Sequence, residues 1–184
     1  MKPLILASQS PRRRELIKSL NVPYEVVPAD VDETCSLKKP SALVKFLALK
    51  KAKAVADKNP GHVVIGADTI VVCKGEILGK PDHHADAMRI LELQNGSWQS
   101  VYTGVAVITD GKVFCDYEVS RCKARRLTEE QLRKLAGKHM DKAGAYAVQD
   151  HDDPFIEKIT GPVDNVVGLP CGLLKELLSK AGAI

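Results

Sequence analysis

Aromatic side chains make up only 4% of the 184 residues. Modules that stack nucleic-acid bases need such rings interleaved with cations, and a formal charge of +4 with no basic tail does not replace them, so a nucleic-acid partner is not expected. No apolar run reaches membrane-spanning length and no signal-peptide pattern opens the chain, so the expectation is a cytoplasmic protein with no membrane partner. The five cysteines (Cys35, Cys73, Cys115, Cys122, Cys171) are odd in number and form no Cys-x-x-Cys pair. A zinc site or disulfide framework is therefore not expected, and most of them read as small buried hydrophobes. Gly-x-x-x-x-Gly-Lys-Ser/Thr, Gly-x-Gly-x-x-Gly and Gly-x-Ser-x-Gly are all absent, which excludes P-loop, dinucleotide-binding and α/β-hydrolase chemistry.

What is present suits one packed domain: 45% of residues are hydrophobic. Strand and helix patterns alternate. Leu4–Ala7 reads as a buried strand, Pro11–Leu20 as a helix, Tyr24–Val27 as a short strand, and Ser41–Asp57 as a helix. His62–Cys73 is the strongest strand pattern, and Lys74-Gly75 turns it into Glu76–Leu78. Asp82 caps a predicted helix to Leu93. Val101–Thr109 and Lys112–Arg126 flank the hairpin signal Asp110-Gly111, and Thr128-x-x-Gln131 is a capping box. Residues 138–170 read as loop, and Leu173–Leu178 as a last helix. Strands that both alternate with helices and form hairpins predict an α/β protein with a mixed sheet.

Three places stand out chemically. Ser8-Gln9-Ser10-Pro11-Arg12-Arg13 follows the first strand: Ser10 suits an N-cap, Pro11 the first helical position, and two guanidinium forks fit phosphate oxygens. Asp68 interrupts Val63–Val72, a stretch otherwise fit for full burial; such a carboxylate either pairs with a buried cation, caps a helix, or acts. Lys80, in Gly79-Lys80-Pro81, follows the hairpin after Asp68. Lys51 lies among Lys50 and Lys53 on a helix, a pattern that alone reads as a solvated face. Asp32-Glu33 is either an acidic turn or a pair of oxygen ligands for a hard cation. His83-His84-x-Asp86 and His151-Asp152-Asp153 lack the spacing of known metal sites and are set aside, and Trp98 reads as packing.

Taken in order, Leu6–Arg13, Leu47-Ala48 with Lys51-Ala52, Gly66-Ala67-Asp68-Thr69, Gly79-Lys80-Pro81, Thr103–Val107, Asp141–Gln149 and Asn165–Pro170 resemble the Maf family of nucleoside triphosphate pyrophosphatases over nearly the whole chain. The resemblance implies one domain over residues 1–184. Its implied fold is an elongated mixed sheet with flanking helices and two lobes around a deep cleft, similar to inosine triphosphate pyrophosphatases. It implies hydrolysis of a nucleoside triphosphate at the α–β bond, giving monophosphate and pyrophosphate, with a divalent cation (Mg or Mn) and a homodimer. Asp68 would be the proton acceptor; Glu33, Lys51 and Lys80 would join it in catalysis; Ser8, Arg12 and Arg13 would bind phosphates; Glu33 and Asp68 would hold the cation. Whether Asp68 acts mainly as base or as ligand stays open. Arg12, Thr69 and Gln149 match positions that separate branches, and Ala143–Tyr146 followed by Gln149 resembles the dTTP and UTP branch. The donor and acceptor of Gln149 suit the imide edge of uracil or thymine. The alternatives are the 7-methyl-GTP branch and a nucleotide-binding regulator with little hydrolysis. Two departures from the family are Gln99, where a histidine is usual, and Gly137-Lys138-His139, where an acid is usual.

Overall fold

The computed structural model describes residues 2–150 and 152–184. The elements follow in the order β1 (Leu4–Leu6), α1 (Pro11–Ile17), β2 (Tyr24–Val26), α2 (Pro40–Ala56), β3 (Val63–Cys73), β4 (Glu76–Leu78), α3 (His84–Gln94), β5 (Trp98–Thr109), β6 (Lys112–Ala124), α4 (Glu129–Leu135), β7 (Ile156–Thr160), α5 (Val163–Val167) and α6 (Cys171–Lys180). One seven-stranded sheet runs β2-β1-β3-β5-β6-β7, with β4 pairing β3. It is mixed as expected: β1 is parallel to β2 and β3, while β4 on β3 and β7 on β6 are antiparallel. Both tight hairpins place two residues at positive φ, Lys74-Gly75 and Asp110-Gly111, the mirror-image turns that match strand twist.

Several expected boundaries shift. The first helix stops at Ile17 and tightens into a 3₁₀ turn over Lys18–Leu20. The cap of α3 is His83, not Asp82: His83 Nδ1 accepts the Asp86 N–H at 3.1 Å. The predicted loop over 138–170 is corrected most, since it contains β7 and α5. His151 lies outside the described residues. The capping box at Thr128 is present, with both reciprocal bonds. All five cysteines are free, but only Cys73 and Cys122 are buried; the other three are half-buried, fewer than the composition suggested.

The chain forms two compact units, Met1–Asp68 with Thr103–Glu118 and Gly168–Ile184, and Thr69–Tyr102 with Val119–Val167. In the first, strand alternation sorts the core onto two faces. Leu4, Leu6, Val63, Ile65, Val105 and Val107 meet Leu174 and Leu178 of α6, whereas Ile5, Val64 and Ala106 meet Ala48, Ala52 and Val55 of α2. In the second, Val71, Cys73, Val101, Cys122 and Ala124 pack with Ile90 and Leu91 of α3, Leu132 and Leu135 of α4, and the buried rings of Tyr146 and Phe155.

Candidate active site

In β3 the even-numbered residues face α2, so Val64, Gly66 and Asp68 lie along one line on that side. The helix comes in unusually close. A Cβ on Gly66 would stand 2.3 Å from the Ala48 carbonyl oxygen, and one on Gly104 of β5 2.3 Å from that of Val44. Val44, Ala48, Ala52 and Val55 form the buried stripe of α2. Lys51, three residues after Ala48, therefore stands at the rim of that stripe rather than on the wet face.

There it meets Asp68. Lys51 Nζ donates to Asp68 Oδ1 at 2.6 Å, with the two side chains only 12% and 8% exposed. Glu33, from the irregular stretch after β2, brings Oε1 to 3.0 Å from the same ammonium and stays half-exposed. Asp32 shapes this stretch by accepting the Thr34 N–H at 2.9 Å, and its carbonyl accepts from Lys50. The ammonium offsets part of the desolvation cost of Asp68. Glu33, with its side chain 54% exposed, opens the group to solvent.

Arg13 belongs to the same unit. Its guanidinium donates from Nε to the Gly168 carbonyl at 2.7 Å and from Nη1 to Ser8 Oγ at 3.4 Å. Burial draws Arg13 below the usual guanidinium range, and Asp68 and Glu33, both close enough to act on it, oppose that pull, while Arg12 adds to it. Ser10 caps α1 as expected, accepting from the Arg13 N–H, and Ser8 Oγ accepts from the Ser10 N–H at 3.2 Å. With α1 under two turns long, its dipole is a minor contributor, and the side chains carry the positive charge. Ser8, Arg13, Lys51, Glu33 and Asp68 are thus assembled in one unit, with Arg12 half-buried beside Arg13.

Thr69, Lys80 and Gln149 belong to the other unit. Thr69 follows Asp68 on β3 and is half-buried; Lys80 and Gln149 are exposed on loops. The Lys80 loop is tied down locally, because the Gly144 N–H donates to the Gly79 carbonyl at 3.1 Å. Gly144 is held in turn by Gln94, whose Nε2 donates to its carbonyl at 2.8 Å. At φ +77 and with the Tyr146 ring 2.9 Å from any added Cβ, position 144 admits only glycine. Sequence reading missed Gln94. The signal was there: a polar residue on the buried stripe of α3, four residues after Ile90.

His139, one of the departures from the family pattern, is buried in this unit beside Asp153 and Asp150. Burial and the Lys142 ammonium hold its imidazole below the ordinary range, against the opposing pull of Asp153, Asp150 and Asp141. A lowered histidine favours the fold while neutral, and that contribution is lost as pH falls below about 6.5. Thermal melts from about pH 7.5 to about pH 5 are expected to fall less steeply for His139→Gln than for the parent; equal slopes would refute this. Gln99, the other departure, is buried near Tyr146, and Trp98 is half-exposed under Arg121, whose guanidinium carbon is 5.0 Å from the ring centre.

Comparison with known proteins supplies the rest. A family model described as "Maf-like protein" matches residues 3–181. A protein of Elusimicrobium minutum named dTTP/UTP pyrophosphatase is 51% identical, covering 97% of this chain and 98% of its own. One of the same name from Bacillus cereus is 45% identical over 96% and 89%. Among solved structures, the Ham1 protein of Staphylococcus aureus covers 98% of this chain and all of its own with a TM-score of 0.57; at 14% identity it shares the fold alone. Matched from end to end at this level of identity, the chain belongs to the Maf family.

Proposed function

We propose that the chain is a nucleoside triphosphate pyrophosphatase that hydrolyses dTTP and UTP to the monophosphate and pyrophosphate. The observation that carries this is the buried Asp68 carboxylate held against Lys51 with Glu33 beside it. A protein that only bound triphosphates would gain nothing from a buried acid near its phosphate-binding cations, whereas a hydrolase needs a proton acceptor there. The dTTP/UTP choice is supported by the names of relatives that are 51% and 45% identical and by Gln149.

In this reading Arg12, Arg13, Ser8 and Lys80 hold the triphosphate, Thr69 and Gln149 read the base, and Lys51 orients Asp68 and steadies phosphate charge. Asp68 takes the proton of the attacking water as the bond between the α and β phosphates breaks and pyrophosphate leaves. Among the described residues no group of three or more His, Cys, Asp or Glu could hold a metal by itself. Glu33 and Asp68 nevertheless have the chemistry for a hard cation: both are carboxylates that already meet on one cationic group, the Lys51 ammonium, and Mg²⁺ held by their other oxygens would take its remaining ligands from substrate phosphates and water. Such a cation would neutralise charge developing on the phosphate oxygens. The reading also takes residues 1–184 as one catalytic domain, active as a homodimer, on the strength of the family resemblance.

A nucleotide panel tests it: dTTP, UTP, CTP, GTP and 7-methyl-GTP with Mg²⁺ or Mn²⁺, products separated. Monophosphate and pyrophosphate from dTTP and UTP, at least about tenfold above the others in kcat/KM, are expected. Preference for 7-methyl-GTP would move the chain to the sister branch, and tight UTP binding without turnover would make it a regulator.

A further inference from the structure

Gln149 sits on the loop that joins Tyr146 to Phe155, and both ends of this loop are fixed. The two rings are 5% and 0% exposed, with centres 5.7 Å apart. The Arg125 N–H donates to the Phe155 carbonyl at 2.7 Å, and Arg125 Nε to the Pro154 carbonyl at 3.0 Å. Between these anchors one side chain closes the loop on itself. Asp153, whose side chain is 1% exposed, accepts the Ala147 N–H at 2.8 Å through Oδ2 and the Phe155 N–H at 2.9 Å through Oδ1. His139 Nε2 lies 3.1 Å from Asp153 Oδ2 and 3.7 Å from Asp150 Oδ2. Asp150 adds an inner turn: its carbonyl accepts the Asp153 N–H at 3.0 Å, and its Oδ1 the Asp152 N–H at 3.0 Å.

A merely connective loop needs no buried carboxylate, which is costly to desolvate. Here the carboxylate bonds both sides of a short exposed tip, and the tip carries Gln149. We propose that Asp153 is the positioning residue for Gln149: by clasping the Ala147 and Phe155 N–H groups it fixes the backbone from which Gln149 meets the pyrimidine edge. This rests on the reading of Gln149 given above. An amide that reads a donor–acceptor edge discriminates only if its origin is fixed, since a misplaced pair leaves buried polar groups unmet. The groups placed on phosphate chemistry, Asp68, Lys51 and Glu33, belong to the first unit, whereas the clasp belongs to the second. Asp153 should therefore affect binding and selectivity but not turnover.

The test compares the steady-state kinetics of Asp153→Asn, Asp153→Ala, Gln149→Ala and the Gln149→Ala/Asp153→Asn double variant on UTP, dTTP and CTP. An asparagine keeps the size but leaves one oxygen acceptor for two N–H groups. Both Asp153 variants and Gln149→Ala are expected to raise KM for UTP and dTTP about tenfold with kcat within about twofold, and to narrow the gap to CTP. The double variant should be no worse than Gln149→Ala, because both changes remove one interaction. If Gln149→Ala raises KM and the Asp153 variants do not, the positioning role is overturned and the Gln149 reading stands. If Gln149→Ala changes nothing, the Gln149 reading itself fails. A fall in kcat, or an equal loss on all three nucleotides, would make Asp153 merely structural and overturn the proposal. Amide exchange on the unmodified protein gives a check that needs no variant: the Ala147 N–H, although in a loop, should exchange as slowly as core amides without nucleotide, and fast exchange overturns the clasp.

Discussion

Asp68→Asn is expected to cut pyrophosphate release from UTP by about 10³-fold, within the range that a positioned general base contributes. Asparagine has nearly the same shape, so β3 keeps its packing and Lys51 keeps Glu33 as a partner at 3.0 Å. The amide, however, cannot take a proton from water. KM should change little, because phosphate binding is assigned to Arg12, Arg13, Ser8 and Lys80. Near-parental turnover would remove Asp68 from the mechanism. Cation titration separates its two candidate roles. If Asp68 acts chiefly as a ligand, raising Mg²⁺ should recover much of the lost rate; if it acts chiefly as base, no concentration should.

Gly104→Ala and Gly66→Ala are expected to destabilise the fold by about 3 kcal/mol or more each, at the upper end for overpacked cores. The added methyl at position 104 would stand 2.3 Å from Val44 O, 2.4 Å from Val44 C and 2.8 Å from Lys45 N. At position 66 it would stand 2.3 Å from Ala48 O and 2.7 Å from Ala52 N. These obstacles are main chain, so no rotamer relieves them and α2 must retreat as a body. Urea unfolding measures the loss through the midpoint. A cost under about 1 kcal/mol would show that the close approach is not what the geometry implies. Any folded remnant should also be slow on UTP, since a shifted α2 carries Lys51 away from Asp68.

The strands and their hairpins were largely legible because their signals are local. Val63–Val72 is apolar enough that its single carboxylate stood out, and two positive-φ turns sit where Lys74-Gly75 and Asp110-Gly111 predict hairpins. β7 was not legible: Ile156-Glu157-Lys158-Ile159-Thr160 is charged at two of its five positions and lies at the end of the strand order, beside β6. Lys51 read as one more solvated lysine until the family motif singled it out, because its setting depends on where Val44, Ala48 and Ala52 touch the sheet. The close approach of α2 to Gly66 and Gly104 is likewise a tertiary fact with no local signal. The Asp150–Asp153 run read as a polar loop, because a carboxylate's backbone partners leave no trace in composition. The candidate residues of the first unit could be named from motifs; what holds them at working distance is tertiary.

The two faces of β1, β3 and β5 differ in what evolution can alter. Toward α6 the sheet meets leucines, isoleucines and valines, which can exchange methyl groups over generations at a modest cost each. Toward α2, at Gly66 and Gly104, it meets bare main chain, where no smaller residue exists and no larger one fits. Lineages can therefore drift in stability through the first face while inheriting the Lys51–Asp68 spacing unchanged through the second.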